Sequence, residues 1–259
     1  REREQVYEQL LRRLYVLAMN IRAHHLYRTN SYWITTYQRP RKNRTEWGLT
    51  GIREELENYV TETAMLDFEP AHIRANKSLQ LNQRHQTFMS NLFEYVLTSR
   101  QWKDSLSEQF VDILLSPTID TVDQQLLVSA ITLAALDSFG VDKVLTLIKV
   151  YKQSTDICVR QRALVGWTLT VNAEKSTLYP EIKQTIAEIG ADETMCQELT
   201  ELQMQLFFCK STESDQKKIQ DEIMPDIMNG GHFKMTSKGL EEMDEDALAF
   251  GVEYLYQLV

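Results

Sequence analysis

Between Thr121 and Asn172 the apolar residues recur at three- and four-residue steps in three successive blocks separated by short polar breaks. Leu126, Leu127, Ala130, Ile131, Leu133, Ala134 and Leu136 follow the capping candidates Thr121 and Asp123 and precede Gly140, where a helix stop is expected. This predicts a helix over 122–138. Its apolar arc exceeds the roughly 100° stripe of a surface helix, so it should be covered on more than one side. Val141, Val144, Leu145, Ile148 and Tyr151 predict a second, amphipathic helix with Lys143, Lys149 and Lys152 among its polar positions and one wet face. Ser154, Thr155 and Asp156 then break the pattern and can cap a third helix carrying Val159, Ala163, Leu164, Trp167 and Val171. An enclosed helix and a half-exposed one are expected to alternate.

The same periodicity extends outward. Residues 2–28 carry Val6, Leu10, Leu14, Leu17 and Ile21 on one helical stripe, flanked by Tyr7, Leu11 and Tyr15, with Arg12, Arg13, Arg22 and Arg28 along its length. From Thr29 to Thr50 the pattern dissolves into Tyr32, Trp33, Tyr37, Arg39, Pro40, Arg41, Lys42, Arg44 and Trp47. A connection of this length exceeds the roughly 12–15 residues beyond which loops are usually functional or disordered. Weak alternation over Tyr32–Tyr37 allows a short strand, although no second strand is evident nearby. Ile52 to Ala64 predicts a helix that Asp67–Pro70 breaks. Phe88, Leu92, Tyr95 and Val96 then form one stripe, and Trp102, Leu106, Phe110, Ile113 and Leu114 another before Ser116-Pro117.

Beyond the central block, Pro180 starts a short helix on Ile182, Ile186 and Ile189 that Gly190 ends. Asp192 caps the next, on Met195, Leu199, Leu202, Leu206 and Cys209. A further helix is expected over 213–228, on Ile219, Ile223 and Ile227 with a bend at Pro225. Asn229, Gly230 and Gly231 make the clearest break, after which a last helix over 241–257 is expected on Leu248, Val252 and Leu255.

Sliding the chain by 33 residues lays Asp123 on Asp156, Leu126 on Val159, Ala130 on Ala163, Ile131 on Leu164 and Leu136 on Leu169. The run Asp156-Ile-Cys-Val159-Arg160-Gln-Arg-Ala163-Leu164 resembles the Asp-x-x-Val-Arg-x-x-Ala-hydrophobic pattern of HEAT repeats over roughly 100–228. That resemblance implies antiparallel helix pairs stacked as a right-handed α-solenoid of about four pairs, which commonly serves as an interaction scaffold. The position matching Arg160 in this alignment is Leu127, so the Asp–Arg ladder of such arrays does not carry over. The offset is shorter than the usual HEAT period, and neither a tetratricopeptide nor an ankyrin consensus is present.

Composition agrees with an all-α chain. Nine Gly and five Pro in 259 residues are too few for the turns of a β-sandwich, and 43% apolar residues suffice for an extended helical core. No apolar run approaches the roughly 18 residues of a membrane span, and no leader-like segment opens the chain, so a cytoplasmic protein that does not enter membranes is expected. Cys158, Cys196 and Cys209 lie far apart without CxxC spacing and are expected to be buried small hydrophobes. The opening Arg1 and the apolar end Tyr254-Leu-Tyr-Gln-Leu-Val259 suggest a piece of a longer chain. The expected organisation is a basic helix and aromatic loop over 1–53, helical repeats over 54–229, and a linker and helix over 230–259 that begin a following module.

Charge is uneven. Residues 1–53 hold eleven Lys and Arg against four Glu, whereas the remainder holds 17 basic and 33 acidic groups. The basic segment can therefore dock on the acidic remainder or reach an acidic partner. Trp33, Tyr37, Arg39, Arg41, Lys42, Arg44 and Trp47 combine cations for a phosphate backbone with rings for base stacking, which makes nucleic-acid binding through 28–53 the alternative to a protein-binding scaffold. No RNP sequence or Cys/His finger accompanies them. His24 and His25 are adjacent, hence about 100° apart on a helix, and cannot share a metal. Glu69-Pro-Ala-His72 has the Glu-x-x-His spacing of di-iron bundles but lacks the second such pair that architecture needs. The acids Glu241, Glu242, Asp244, Glu245 and Asp246 lack the alternation and Gly of an EF-hand. With no P-loop, G-x-S-x-G or dinucleotide fingerprint, the expectation is a non-enzymatic scaffold without cofactor that binds a protein partner.

Overall fold

The computed structural model describes residues 2–42, 47–171, 178–223, 233–236 and 239–242. Among the described residues the chain is helical apart from one short hairpin, and it forms two compact units, Arg1–Asp192 and Glu193–Val259. The chain divides between Asp192 and Glu193, whereas the sequence suggests divisions at 53 and 229.

The first unit contains α1 (Glu2–Thr29), α2 (Ser31–Lys42), α3 (Leu49–Met65) with a 3₁₀ turn at Leu66–Phe68, α4 (Ala71–Leu97), α5 (Asp104–Leu114), α6 (Thr121–Asp137), α7 (Val141–Gln153), α8 (Ile157–Thr170) and α9 (Pro180–Gly190). Helices α4, α6 and α8 pack side by side in one layer, and α5 and α7 pack side by side in another, with α7 also against α6 and α8. The core lies between these layers. It includes Leu92, Phe110, Ile113, Leu127, Ile131, Val144, Leu147, Ile148, Tyr151, Leu164 and Trp167.

Burial inverts the expected alternation. Helix α7 carries the amphipathic pattern, yet it is the enclosed one, with Lys143, Val144, Thr146, Leu147, Ile148, Val150 and Tyr151 all buried. Helix α6 carries apolar residues all round, yet Val122, Leu126, Leu133 and Leu136 face solvent. The physical reason is position. Helix α7 packs against α5, α6 and α8, whereas α6, flanked by α4 and α8 with α5 and α7 beneath, leaves a strip of its outer side exposed at Val122, Leu126, Leu133 and Leu136.

Caps and burial also revise the repeat register. Asp120, not Thr121 or Asp123, caps α6 by accepting from the Val122 backbone N–H, and Asp156 caps α8 by accepting from that of Val159. The caps are 36 residues apart, and at that offset the buried positions Leu127, Val128, Ala130, Ile131 and Ala134 fall on Ala163, Leu164, Gly166, Trp167 and Thr170. The 33-residue alignment instead lays the exposed Leu126 on the buried Val159. In the new register Arg160 matches Gln124, not Leu127. Gln124 Nε2 donates to the Ser116 carbonyl at 2.7 Å and Arg160 Nε to the Tyr151 carbonyl at 3.2 Å, so each ties its helix to the end of the preceding one.

Small residues let α6 and α8 approach closely. A Cβ added at Gly166 would stand 2.3 Å from Thr132 Oγ1 and 3.4 Å from its Cβ. Gly166→Ala is therefore expected to destabilise the fold by about 1–3 kcal/mol through overpacking, despite the helix propensity of Ala. Adding Thr132→Ala should recover most of that loss in urea denaturation. Equal stability of the wild type and the single variant would mean that the two helices can separate freely.

In the second unit helix α10 (Glu193–Lys218) runs into a π-helical turn at Ile219–Ile223. The expected break near 210 is absent, because Cys209 to Thr212 continue the helix without a Gly or Pro. The rest of the helix expected over 213–228, including Pro225 and Ile227, lies outside the described residues. Strands β1 (Phe233–Thr236) and β2 (Gly239–Glu242) pair antiparallel with Phe233 opposite Glu242 and Thr236 opposite Gly239. Glu241 and Glu242 thus belong to a strand, and the remainder of the helix expected over 241–257 lies outside the described residues. Cys158, Cys196 and Cys209 are all exposed rather than buried, each on a solvent-facing helical position.

Candidate functional site

The segment expected as a long loop is mostly helix. Asn30 alone separates α1 from α2, and its side-chain oxygen accepts from the Trp33 backbone N–H at 3.2 Å, which starts the second helix. Trp33, Tyr37 and Arg41 stand at four-residue steps, a periodicity masked by the polar residues around them. The short strand over Tyr32–Tyr37 does not form.

Each described member of the basic, aromatic set can be placed. Tyr37 stacks on Tyr27 with centroids 4.5 Å apart, and Trp33 lies 6.1 Å from the same ring. Arg41 holds its guanidinium 3.9 Å from the Tyr37 centroid and donates to Thr98 Oγ1 at 2.8 Å. Burial lowers the Arg41 pKa from its ordinary value, and the nearby Tyr37 and Tyr95 oppose that shift. Arg39 pairs with Glu94 at 2.7 Å. Trp47 stacks on Tyr95 at 5.1 Å and donates from Nε1 to the Pro40 carbonyl at 2.9 Å. Lys42 is exposed, and Arg44 lies outside the described residues. Helix α2 is thus laid along α4, and the aromatic faces and guanidinium groups expected to meet a partner are largely turned to contacts within the chain.

Helix α1 crosses the ends of the layered helices. Tyr27 donates to the carbonyl of Thr98, the C-cap of α4, at 3.4 Å. Arg22 donates to the carbonyl of Asp137, the last residue of α6, at 2.9 Å and to its carboxylate at 2.8 Å. Arg12 donates to the Leu178 carbonyl at 2.8 Å, pairs with Glu181 at 3.2 Å and lies over the Tyr179 ring. Fifteen residues separate Arg12 from Tyr27, a span of about 22 Å, close to two spacings between packed helices. Arg22 at the C-terminus of α6 also complements the helix dipole, and with Arg12 and Tyr27 it makes the sequence's basic N-terminal segment partly an internal clamp.

The face of α1 turned away from this clamp carries Tyr7, Leu10, Leu14, Leu17 and Ile21, all between 54% and 63% exposed. The stripe that the sequence displays most clearly is therefore the outward one, and the docked face is built from Leu11, Arg12, Tyr15, Ala23 and Tyr27. Sequence reasoning had the residues but not their direction. Periodicity reports an apolar face without saying what covers it.

Other clusters resolve into structural roles. His85 Nε2 lies 2.9 Å from Asp123 Oδ2 in a buried pair that joins α4 to α6, with Tyr59 stacked on the imidazole at 3.5 Å. Lys143 is fully buried and donates to the Ser99 carbonyl at 3.0 Å. An open cleft of about 420 Å³ lies between α3, the 3₁₀ turn and α4, but its charges are paired, Arg84 with Glu62 and Lys77 with Glu69. The last pair occupies the carboxylate of the Glu-x-x-His spacing, while His72, His24 and His25 are exposed. Among the described residues, no group of three or more His, Cys, Asp or Glu could hold a metal ion, and no helix is long and apolar enough to cross a membrane. Comparison with family models, with curated proteins and with solved structures finds no match to this chain.

Proposed function

We propose that the chain is a non-enzymatic interaction scaffold whose first unit is a HEAT-like α-solenoid. The observation that carries this reading is the apolar outer side of the α6–α8 layer. Val122, Leu126, Leu133 and Leu136 on α6, with Ile157 and Leu169 on α8, are exposed on helices whose opposite sides are held in the core. Leu133 and Leu169 occupy equivalent places in the 36-residue register, so one exposed Leu recurs between the two helices, as at a position of a repeat-built binding face, while Leu126 falls on Arg162. Rigid helices presenting uncovered large apolar side chains mark protein-contact surfaces. Nucleic-acid binding through residues 28–53 has less to support it, since Tyr37, Arg39, Arg41 and Trp47 are engaged within the chain.

A photo-crosslinking residue placed at Leu133 or Leu169 should capture one discrete protein partner in cells, and Leu126→Glu with Leu136→Glu should abolish the adduct without changing helix content. Adducts no different from those obtained at the exposed polar Gln161 would sink the proposal.

A further inference from the structure

We infer that the outward face of α1 is a docking seam for an acidic amphipathic helix of a partner protein. Tyr7, Leu10, Leu14, Leu17 and Ile21 follow one another at steps of three, four, three and four, the a and d spacing of two heptads. All five are more than half exposed, and Val6 beside them is too. The helix cannot turn to bury them. Arg12, Arg22 and Tyr27 fix the other face to the layered helices, and that face lies about 180° round the axis from the seam.

Charge selects the occupant. Residues 1–28 hold six Arg and three Glu. Arg3 stands four residues before the apolar run and Arg28 seven residues after it, Arg13 borders it, and His24 and His25 lie at its C-terminal end, all exposed. A second copy of α1 would bring like charges together, Arg3 near Arg3 in a parallel pair or near Arg28 in an antiparallel one. A helix with Glu or Asp beside its apolar stripe would instead meet Arg3, Arg13 and Arg28 favourably. A lipid surface is less suited. The chain carries a net charge of −9, so its acidic remainder would be repelled by an anionic bilayer that a single docked helix does not resemble. The six apolar side chains expose on the order of 500 Å², somewhat less than the ~800 Å² per partner of a standard interface, which fits a reversible, micromolar contact.

The seam deepens the scaffold reading and rests on it. Its probe touches α1 alone, so a failed cross-link at α6 and α8 and a failed test here remain distinguishable. Two synthetic helices of about three heptads, with the same Leu stripe but Glu or Lys at the flanking positions, would be titrated into the full chain. The Glu-flanked peptide should bind at micromolar concentration, weaken with added salt, and bind about tenfold or more tightly than the Lys-flanked one. Leu14→Glu with Leu17→Glu should abolish binding with an unchanged melting temperature, because both side chains are already in water. Arg13→Glu with Arg28→Glu should reverse the preference between the peptides.

Equal binding of both peptides, binding of neither, or binding untouched by the Leu14 and Leu17 changes would overturn the proposal. So would concentration-dependent dimerisation lost in that double variant, which assigns the seam to a second copy. Co-sedimentation with phosphatidylserine vesicles lost in the same variant would assign it to lipid and overturn the proposal equally.

Discussion

Trp167→Ala is expected to destabilise the first unit by about 3–5 kcal/mol, measured as a shift of the urea midpoint at unchanged slope. The indole is 4% exposed, on the side of α8 that faces the core, with its ring 6.3 Å from that of Tyr151 on α7. Truncation therefore opens a cavity where α6, α7 and α8 converge. Ala163 and Leu164, buried one turn back on the same helix, are too short to fill the space it leaves. The indole Nε1 has no hydrogen-bond partner among the described residues. Trp167→Phe should therefore cost well under half as much as Trp167→Ala, since it keeps most of the apolar volume and removes a buried donor that is left unpaired. Equal losses for the two variants would show that the donor, rather than the volume, is what the site requires.

The second large effect is a pH dependence set by Lys143. Burial lowers its pKa from 10.5 to about 8, and the opposing pull of Asp137 recovers only part of the shift. At pH 7 the ammonium is charged in both folded and unfolded chains, and the folded state carries the full cost, about 3 kcal/mol at 1.36 kcal/mol per pH unit. Between about 8 and 10.5 the unfolded chain holds this proton and the folded chain does not, so stability contributed by this residue rises with pH through that window. Chemical denaturation between pH 7 and 10.5 should reveal the rise against the titration of the tyrosines. Lys143→Met should flatten it and be at least as stable as wild type at pH 7, the lost bond to the Ser99 carbonyl returning about 1 kcal/mol of the gain. A Lys143→Met protein markedly less stable than wild type at pH 7 would mean that the buried charge is held favourably.

Lys143 also marks where sequence reading stopped. On the linear chain it takes its place among Lys149 and Lys152 as part of a polar face, and those two do reach outward to Glu108 and Glu188. Lys143 lies six residues before Lys149 and donates instead to the carbonyl of Ser99, two residues past the end of α4. Nothing within a few residues of Lys143 encodes that neighbour. The buried His85–Asp123 pair was equally illegible, because its two members are 38 residues apart and Asp123 reads as a helix cap. The candidate binding residues fared in the same way. Trp33, Tyr37, Arg39, Arg41 and Trp47 were recognisable by type, but whether such a ring or guanidinium faces a partner or the chain's own α4 depends on which helix lies beside it.

Local chemistry was sufficient for the helices themselves. The recurrence of Val144, Ile148 and Tyr151, the cap at Asp156, Pro180 at a first turn and the scarcity of Gly determined that this chain is helical and roughly where α7, α8 and α9 run, because backbone hydrogen bonds and caps are settled within four residues. Tertiary structure decided which faces are covered. An apolar stripe is a demand for cover that any neighbour may meet, so the identical periodicity leaves Leu147 in the core and Leu14 in water. The difference arises because α7 has helices on several sides, whereas α1 is held against the layers by Arg12, Arg22 and Tyr27 on one side alone.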